Sequence, residues 1–244
     1  MLLNVERYGV GEPIIFIHGA GGSTQYWYFQ KEYLKNQMEV ILIDLPGHGQ
    51  SGGDGCKTIE EARDVIQDVI LGSGIKKCYL AGHSMGGAIA MSFALAYPDL
   101  LKGIFLICTG AKLRVLPSIL DGVLKDKEAT VRMIIMDYAF AKNASQKMKY
   151  NGFKDMMKSS AEIIYQDFAA CDLFSAIGTL DKITLPAMII GGKDDLLTPP
   201  TYSEFLHKEI KGSELVIVED AGHMAMIEQS DAVNQAIENF VKRQ

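Results

Sequence analysis

Cysteine is sparse and unpatterned in this chain. Its 244 residues hold four, Cys56, Cys78, Cys108 and Cys171, and no C-x-x-C pair. Such scattering excludes a disulfide framework and a Cys-based zinc site, so all four are read as reduced and no metal is expected. Cys78 and Cys108 sit in apolar runs, where a thiol behaves as a small hydrophobe. Basic charge is also short: 24 Lys and Arg stand against 30 Asp and Glu, for a net charge of −6. No Lys/Arg cluster is present to neutralise phosphates, which argues against a nucleic-acid partner. No apolar run approaches the ~20 residues of a membrane helix. Glu6 and Arg7 break up the first residues, leaving no signal-peptide core. The expectation is a cytoplasmic protein with no membrane partner, whose oligomeric state the sequence leaves open. Internal repeats, low-complexity tracts and flexible linkers are missing as well.

What is present suits one domain of the large α/β sort, or one domain with an insertion: 48% hydrophobic and 22% charged residues are enough for a sizeable core. Short continuous apolar runs, as expected of strands buried on both faces, alternate with helix-like segments. The strand-like runs are Pro13–Ile17, Glu39–Ile43, Lys77–Ala81, Gly103–Cys108, Leu185–Ile190 and Glu214–Val218. Helical segments are expected near Thr24–Asn36, Thr58–Leu71, Ala88–Ala96, Thr201–Ile210 and Ala225–Val241. The alternation predicts a mostly parallel sheet with helices on both faces. It stops between Ala111 and Thr184, where periodicities are helical, clearest in Val131–Phe140 and Ala161–Phe168. That stretch predicts a helical cap over residues 111–184, inserted between core segments 1–110 and 185–244. Only twelve residues precede Pro13, with room for one strand near Leu2–Tyr8. A sheet of about seven strands is expected.

One short stretch carries chemistry. Ala81-Gly82-His83-Ser84-Met85-Gly86-Gly87-Ala88 places a serine at the corner between a strand and a helix, within G-x-S-x-G. Such a sharp turn lifts the hydroxyl out of the fold, and glycines flank it because strand and helix backbones come too close for side chains. A serine needs a base, and the base an orienting partner. Of five histidines, His223 follows the last strand and precedes the last helix, at the carboxyl edge where ligands bind in open parallel sheets. At the same edge, Gly191-Gly192-Lys193-Asp194-Asp195 offers two carboxylates. His18, His48 and His83 read as structural, Asp44 as a brace between loops, and His207 as an exposed helix residue.

Taken together, these motifs resemble the α/β-hydrolase superfamily, carboxylesterase-like serine hydrolases with a helical cap, over essentially the whole chain. The resemblance rests on His18-Gly19-Ala20-Gly21-Gly22, on Asp44-Leu45-Pro46-Gly47-His48-Gly49-Gln50-Ser51, and on the serine turn. Gly192-Lys193-Asp194-Asp195 with Pro199, and Gly222-His223, complete it. It implies an α/β-hydrolase fold with Ser84 as nucleophile, His223 as base and Asp195, by its spacing from Gly192 and Pro199, as the acid. It also implies an oxyanion hole from the backbone N–H groups of Ala20 and Met85, each donor being worth ~2.7–4 kcal/mol in such sites. The implied activity is hydrolysis of small carboxylic esters through an acyl-enzyme, with a small-molecule substrate and no cofactor. Enol-lactone hydrolysis, carbon–carbon bond hydrolysis and perhydrolysis use the same triad, and some relatives of this fold are small-molecule receptors. Dehalogenase and epoxide-hydrolase relatives carry Asp at the nucleophile position, so Ser84 argues against both.

The substrate pocket is expected to be an apolar cleft under the cap, with Gly19 leaving room for substrate and Leu197 and Met224 flanking Asp195 and His223. The cap methionines read as packing residues that could also wall an apolar substrate. Most basic groups of the cap read as solvated surface. Arg114, close to where the cap leaves the sheet, is the one placed to reach the site and bind a carboxylate.

Overall fold

The computed structural model describes residues 2–244. Seven strands form one sheet: β1 (Val5–Tyr8), β2 (Glu12–Ile17), β3 (Met38–Ile43), β4 (Cys78–His83), β5 (Leu101–Ile107), β6 (Ala187–Gly192) and β7 (Glu214–Val218). Their spatial order is β1-β3-β2-β4-β5-β6-β7. Among the described residues only β1 runs antiparallel in this sheet, pairing Val5 with Ile43; the other strand pairings of the sheet are parallel. One strand thus precedes Pro13, as the length of the N-terminal segment predicts.

Alternate residues of each strand feed opposite faces, the period-2 geometry of a pleated strand. Ile15, Ile17, Ile41, Ile43 and Leu80 pack on one side with helices α2 (Ile59–Gly72) and α3 (Met85–Ala96). Ile14, Phe16, Val40, Leu42 and Tyr79 pack on the other, with α1 (Tyr28–Leu34) and the C-terminal helix. Central strands are buried on both faces, which is why they read as apolar runs. Thr58 caps α2 by accepting the Glu61 N–H, and Pro98 follows the end of α3.

Several boundaries differ from the sequence expectation. The Thr24–Asn36 segment opens as a 3₁₀ turn, Thr24–Trp27, before α1. β4 extends to His83, directly against Ser84. β5 stops one residue before Cys108, whose φ of 45° ends the extended backbone. The C-terminal segment is two helices, not one, broken at Gln229. There Glu228 and Gln229 bond back to Gly222 and Asp220, so the chain turns before the longer helix can lie along the sheet.

Between β5 and β6 the chain forms four helices: α4 (Pro117–Lys125), α5 (Lys127–Met133), α6 (Gln146–Met156) and α7 (Ala161–Leu173). A π-helical turn, Ile134–Ala139, continues α5. The insertion closes at its base through a bridge between Lys112 and Ser175 and the bond from Ala176 N–H to the Ala111 carbonyl. After β6 follow α8 (Pro200–Glu209), α9 (Ala225–Glu228) and α10 (Ser230–Val241). No helix among the described residues is long and apolar enough to cross a membrane.

Candidate active site

In strand order the chain leaves β2 for β3 on one side and returns to β4 on the other. The crevice at such a switch point is the usual ligand site of an open α/β sheet. The His18–Gly22 turn leaves the end of β2, and Ser84 leaves the end of β4.

Ser84 has φ 53° and ψ −113°, a strained conformation for a residue with a side chain. The surroundings hold it there: its N–H donates to the Ile107 carbonyl at 3.0 Å, and its carbonyl accepts the Thr109 hydroxyl at 2.7 Å. A Cβ at Gly82 would collide with the Gly86 carbonyl, and one at Gly86 with the Ile17 carbonyl. Glycine is required at both places, as the motif predicts. One at Gly19 would stand 3.2 Å from Ser84 Cβ, so the His18–Gly22 turn lies directly over the serine.

The turn's own hydrogen bonds orient its peptides. The Gly19 carbonyl accepts Gly22 N–H at 3.0 Å and His18 Nδ1–H at 2.8 Å. In a trans peptide the N–H points opposite to the C=O. The Ala20 N–H therefore points away from those two donors, and Ala20 lines the same cavity as Ser84. Met85 is the first residue of α3, whose leading N–H groups have no intrahelical acceptor and carry the positive end of the helix dipole. Its side chain packs into the core beneath the elbow.

His223 lies between β7 and α9, 6% exposed. Its Nδ1 is 2.8 Å from Asp195 Oδ2. Asp195, in the turn after β6, is buried, while its neighbour Asp194 faces solvent. Asp195 Oδ1 accepts the N–H groups of Leu197 and Thr198, each at 2.8 Å. Thr198 Oγ1 donates to Oδ2 at 2.8 Å and sits 3.2 Å from His223 Nδ1. Burial alone would raise the Asp195 pKa; the His223 imidazole beside it, with the Thr198 donors, outweighs burial and holds it below the usual carboxylate range. None of the sequence motifs marks Thr198. Its signal is Asp-x-x-Thr, an acid taking N–H groups two and three residues on.

His83, packed under the site, donates from Nε2 to the His223 carbonyl at 2.9 Å, while its buried Nδ1 has no partner. Burial, then the nearby His223, pushes its pKa down to about 3, so it stays neutral and fixes the His223 backbone. Asp44 is a brace, as expected, accepting from Thr24 N, Gln50 N and Asn4 Nδ2.

Ser84 and His223 open on one cavity of about 370 Å³. Gly19, Ala20, Leu197 and Met224 line it, and so do Met133 and Met156 of the insertion. The π-helical turn brings Ile134, Ile135, Tyr138 and Ala139 to the same wall. Such π-helical turns are rare and are frequent at functional sites. Arg114 also lines the cavity, forms no ion pair among the described residues, and has no Asp or Glu beside it in the lining. Among the described residues no group of His, Cys, Asp and Glu is arranged to hold a metal ion.

Residues 14–236 match the Alpha/beta hydrolase family. The chain belongs to that family. It is 29% identical to (E)-2-((N-methylformamido)methylene)succinate hydrolase of Acinetobacter baylyi, over 96% of this chain and 92% of that protein. It is 26% identical to the pimeloyl-[acyl-carrier protein] methyl ester esterase of Neisseria meningitidis, over 95% and 94% of the two chains. The crystal structure of the enol-lactonase from Burkholderia xenovorans superimposes with a TM-score of 0.93 at 21% identity, covering 98% of this chain and 96% of that one. This alpha/beta hydrolase is thus a hydrolytic enzyme by kinship with esterases and other hydrolases alike.

Proposed function

We propose that this alpha/beta hydrolase cleaves small carboxylic esters through an acyl-enzyme intermediate. Ser84 Oγ attacks the ester carbonyl and gives its proton to His223. The Ala20 and Met85 N–H groups stabilise the resulting oxyanion. Collapse expels the alcohol, which takes the proton from His223. A water then repeats the cycle on the acyl-enzyme and releases the acid. Asp195 stays ionised throughout, orienting His223 and stabilising its imidazolium form.

The observation carrying this reading is the buried 2.8 Å contact of Asp195 with His223, which shares a cavity with a strained, glycine-flanked Ser84. The substrate is a small molecule, and a cytoplasmic location belongs to the same proposal.

A second reading, hydrolysis of a lactone or ester bearing a carboxylate, is favoured by one feature. Among the described residues Arg114 is a cation without an ion-pair partner, in an otherwise largely apolar lining. The testing experiment is labelling by a fluorophosphonate together with a panel of acyl esters and lactones. Stoichiometric labelling at Ser84 with ester turnover supports the proposal. Ligand binding without labelling or turnover would mean a receptor of this fold. Turnover confined to carboxylated lactones would transfer the proposal to the second reading.

A further inference from the structure

The helical insertion grips the His18–Gly22 turn through buried polar groups, not by apolar contact alone. Asp167, on α7 and 3% exposed, accepts the Gly21 N–H at 2.7 Å with Oδ2. The same oxygen lies 2.8 Å from His48 Nε2. At its other nitrogen, His48 Nδ1 meets the Pro46 carbonyl at 3.0 Å. A carbonyl accepts only, and so does a carboxylate. Each ring nitrogen must then carry a hydrogen, which makes His48 an imidazolium paired with Asp167.

The neighbouring groups agree with that assignment. Burial opposes the His48 charge, but Asp167 outweighs it and holds the pKa above the ordinary histidine value, with Asp44 adding to the pull. His18, its ring 4.7 Å from that of His48, is the neutral member. Its Nδ1–H donates to Gly19, and its Nε2 accepts the Leu45 N–H at 3.1 Å. Burial first, and the His48 charge next, pull the His18 pKa down to about 4.

The consequence falls on Ala20. One flanking peptide is held by the two donors on the Gly19 carbonyl, the other by Asp167 on the Gly21 N–H. With both planes held, the φ and ψ of Ala20, which set one plane against the other, are restrained from both sides. Two further bonds come from the insertion: the Ser159 hydroxyl donates to the Gly21 carbonyl at 3.2 Å, and Asp155 accepts from Ser23 at 2.8 Å.

We propose that Asp167 is a positioning residue of the hydrolase site, a carboxylate lent by the insertion that locks the Ala20–Gly21 peptide and so keeps the Ala20 N–H aimed at the oxyanion. The inference rests on the esterase reading above. It makes oxyanion stabilisation conditional on the insertion staying docked, since lifting α7 would release Gly21 and strand His48 without its counter-charge.

The test uses Asp167→Asn, which keeps the size and loses the charge, and Asp167→Glu, which keeps the charge on a longer arm. Removing an oxyanion donor outright costs about 10²–10³ in kcat, so loosening one predicts a loss of roughly 10–100-fold with KM little changed. The inhibition constant of a trifluoromethyl ketone, which forms a tetrahedral adduct with Ser84, should rise by the same factor, while butyrate binding stays constant. In the wild type, nitrogen NMR near pH ~6.5 should find His48 protonated on both ring nitrogens. A folded variant with a lower Tm but unchanged kcat and ketone affinity would show a merely structural role and overturn the inference. So would a neutral His48, or failure of both variants to fold. Absence of ester turnover and of Ser84 labelling in the wild type is a different failure, one that removes the esterase reading and this inference with it.

Discussion

Asp195 Oδ2 lies 2.8 Å from His223 Nδ1, while Asp194, one residue earlier, is exposed and turns its backbone N–H to the Ala221 carbonyl. Two adjacent carboxylates thus have unlike surroundings. Asp195→Asn is expected to lower kcat by about 10³–10⁴, since an amide cannot hold the imidazole tautomer or its positive form. Asp194→Asn should stay within about twofold, as for an ordinary surface change. Steady-state kinetics on p-nitrophenyl butyrate decides, and the reverse ranking would displace Asp195 from the acid role.

Ser84→Ala should remove activity by about 10³-fold or more and abolish fluorophosphonate labelling. Its melting temperature should stay close to that of the wild type, because the backbone strain at this position is unchanged by the swap. Retained labelling would place the nucleophile elsewhere.

Acyl-chain preference follows from the cavity. Each buried methylene contributes about 0.8 kcal/mol, roughly fourfold in kcat/KM, until the chain meets the wall of Ile134, Ile135 and Met156. A series of p-nitrophenyl esters from acetate to palmitate should therefore peak at about four to eight carbons, with long chains poorly hydrolysed. A maximum at palmitate would contradict this cavity as the acyl site.

Gly82→Ala should be far more damaging than its size implies. The added methyl would meet the Gly86 carbonyl and Gly87 nitrogen, both backbone atoms that cannot step aside. A loss of about 3 kcal/mol or more, or insoluble protein, is expected from overpacking at a rigid contact. Urea unfolding measures it, and a loss under about 1 kcal/mol would argue against so close a strand–helix approach.

The depressed pKa of Asp195 ties stability to acid pH with a definite sign. Its folded pKa lies below the unfolded value of about 3.9, so the unfolded chain binds the proton first. The Asp195 contribution is fully present above that value and is lost as pH falls toward the folded pKa. Urea midpoints of the wild type should drop more steeply below pH ~4 than those of Asp195→Asn. Parallel curves would mean that Asp195 is not preferentially ionised in the folded protein.

Much of this architecture is legible in the sequence. Buried parallel strands such as Ile14–Ile17 have no solvent face, so they read as unbroken apolar runs with punctuating glycines. Gly82 and Gly86 were readable for a related reason: a close approach of two backbones admits no other residue. The order Ser84, Asp195, His223, after β4, β6 and β7 in turn, is a property of the chain itself.

What tertiary structure alone decided are contacts between residues remote in sequence and without periodicity. His48 meets Asp167 across 119 positions, and nothing in the local sequence of either residue announces the other. Thr198 reaches Asp195 and His223 only because the turn after β6 folds back on Asp195. In the insertion, the direction of Ile134, Tyr138 and Arg114 depended on a π-helical turn and on how α4 to α7 dock. Helical periodicity in a sequence tells which residues share a face. Which face meets the cavity is set by packing against the sheet, and that information exists only in the folded chain.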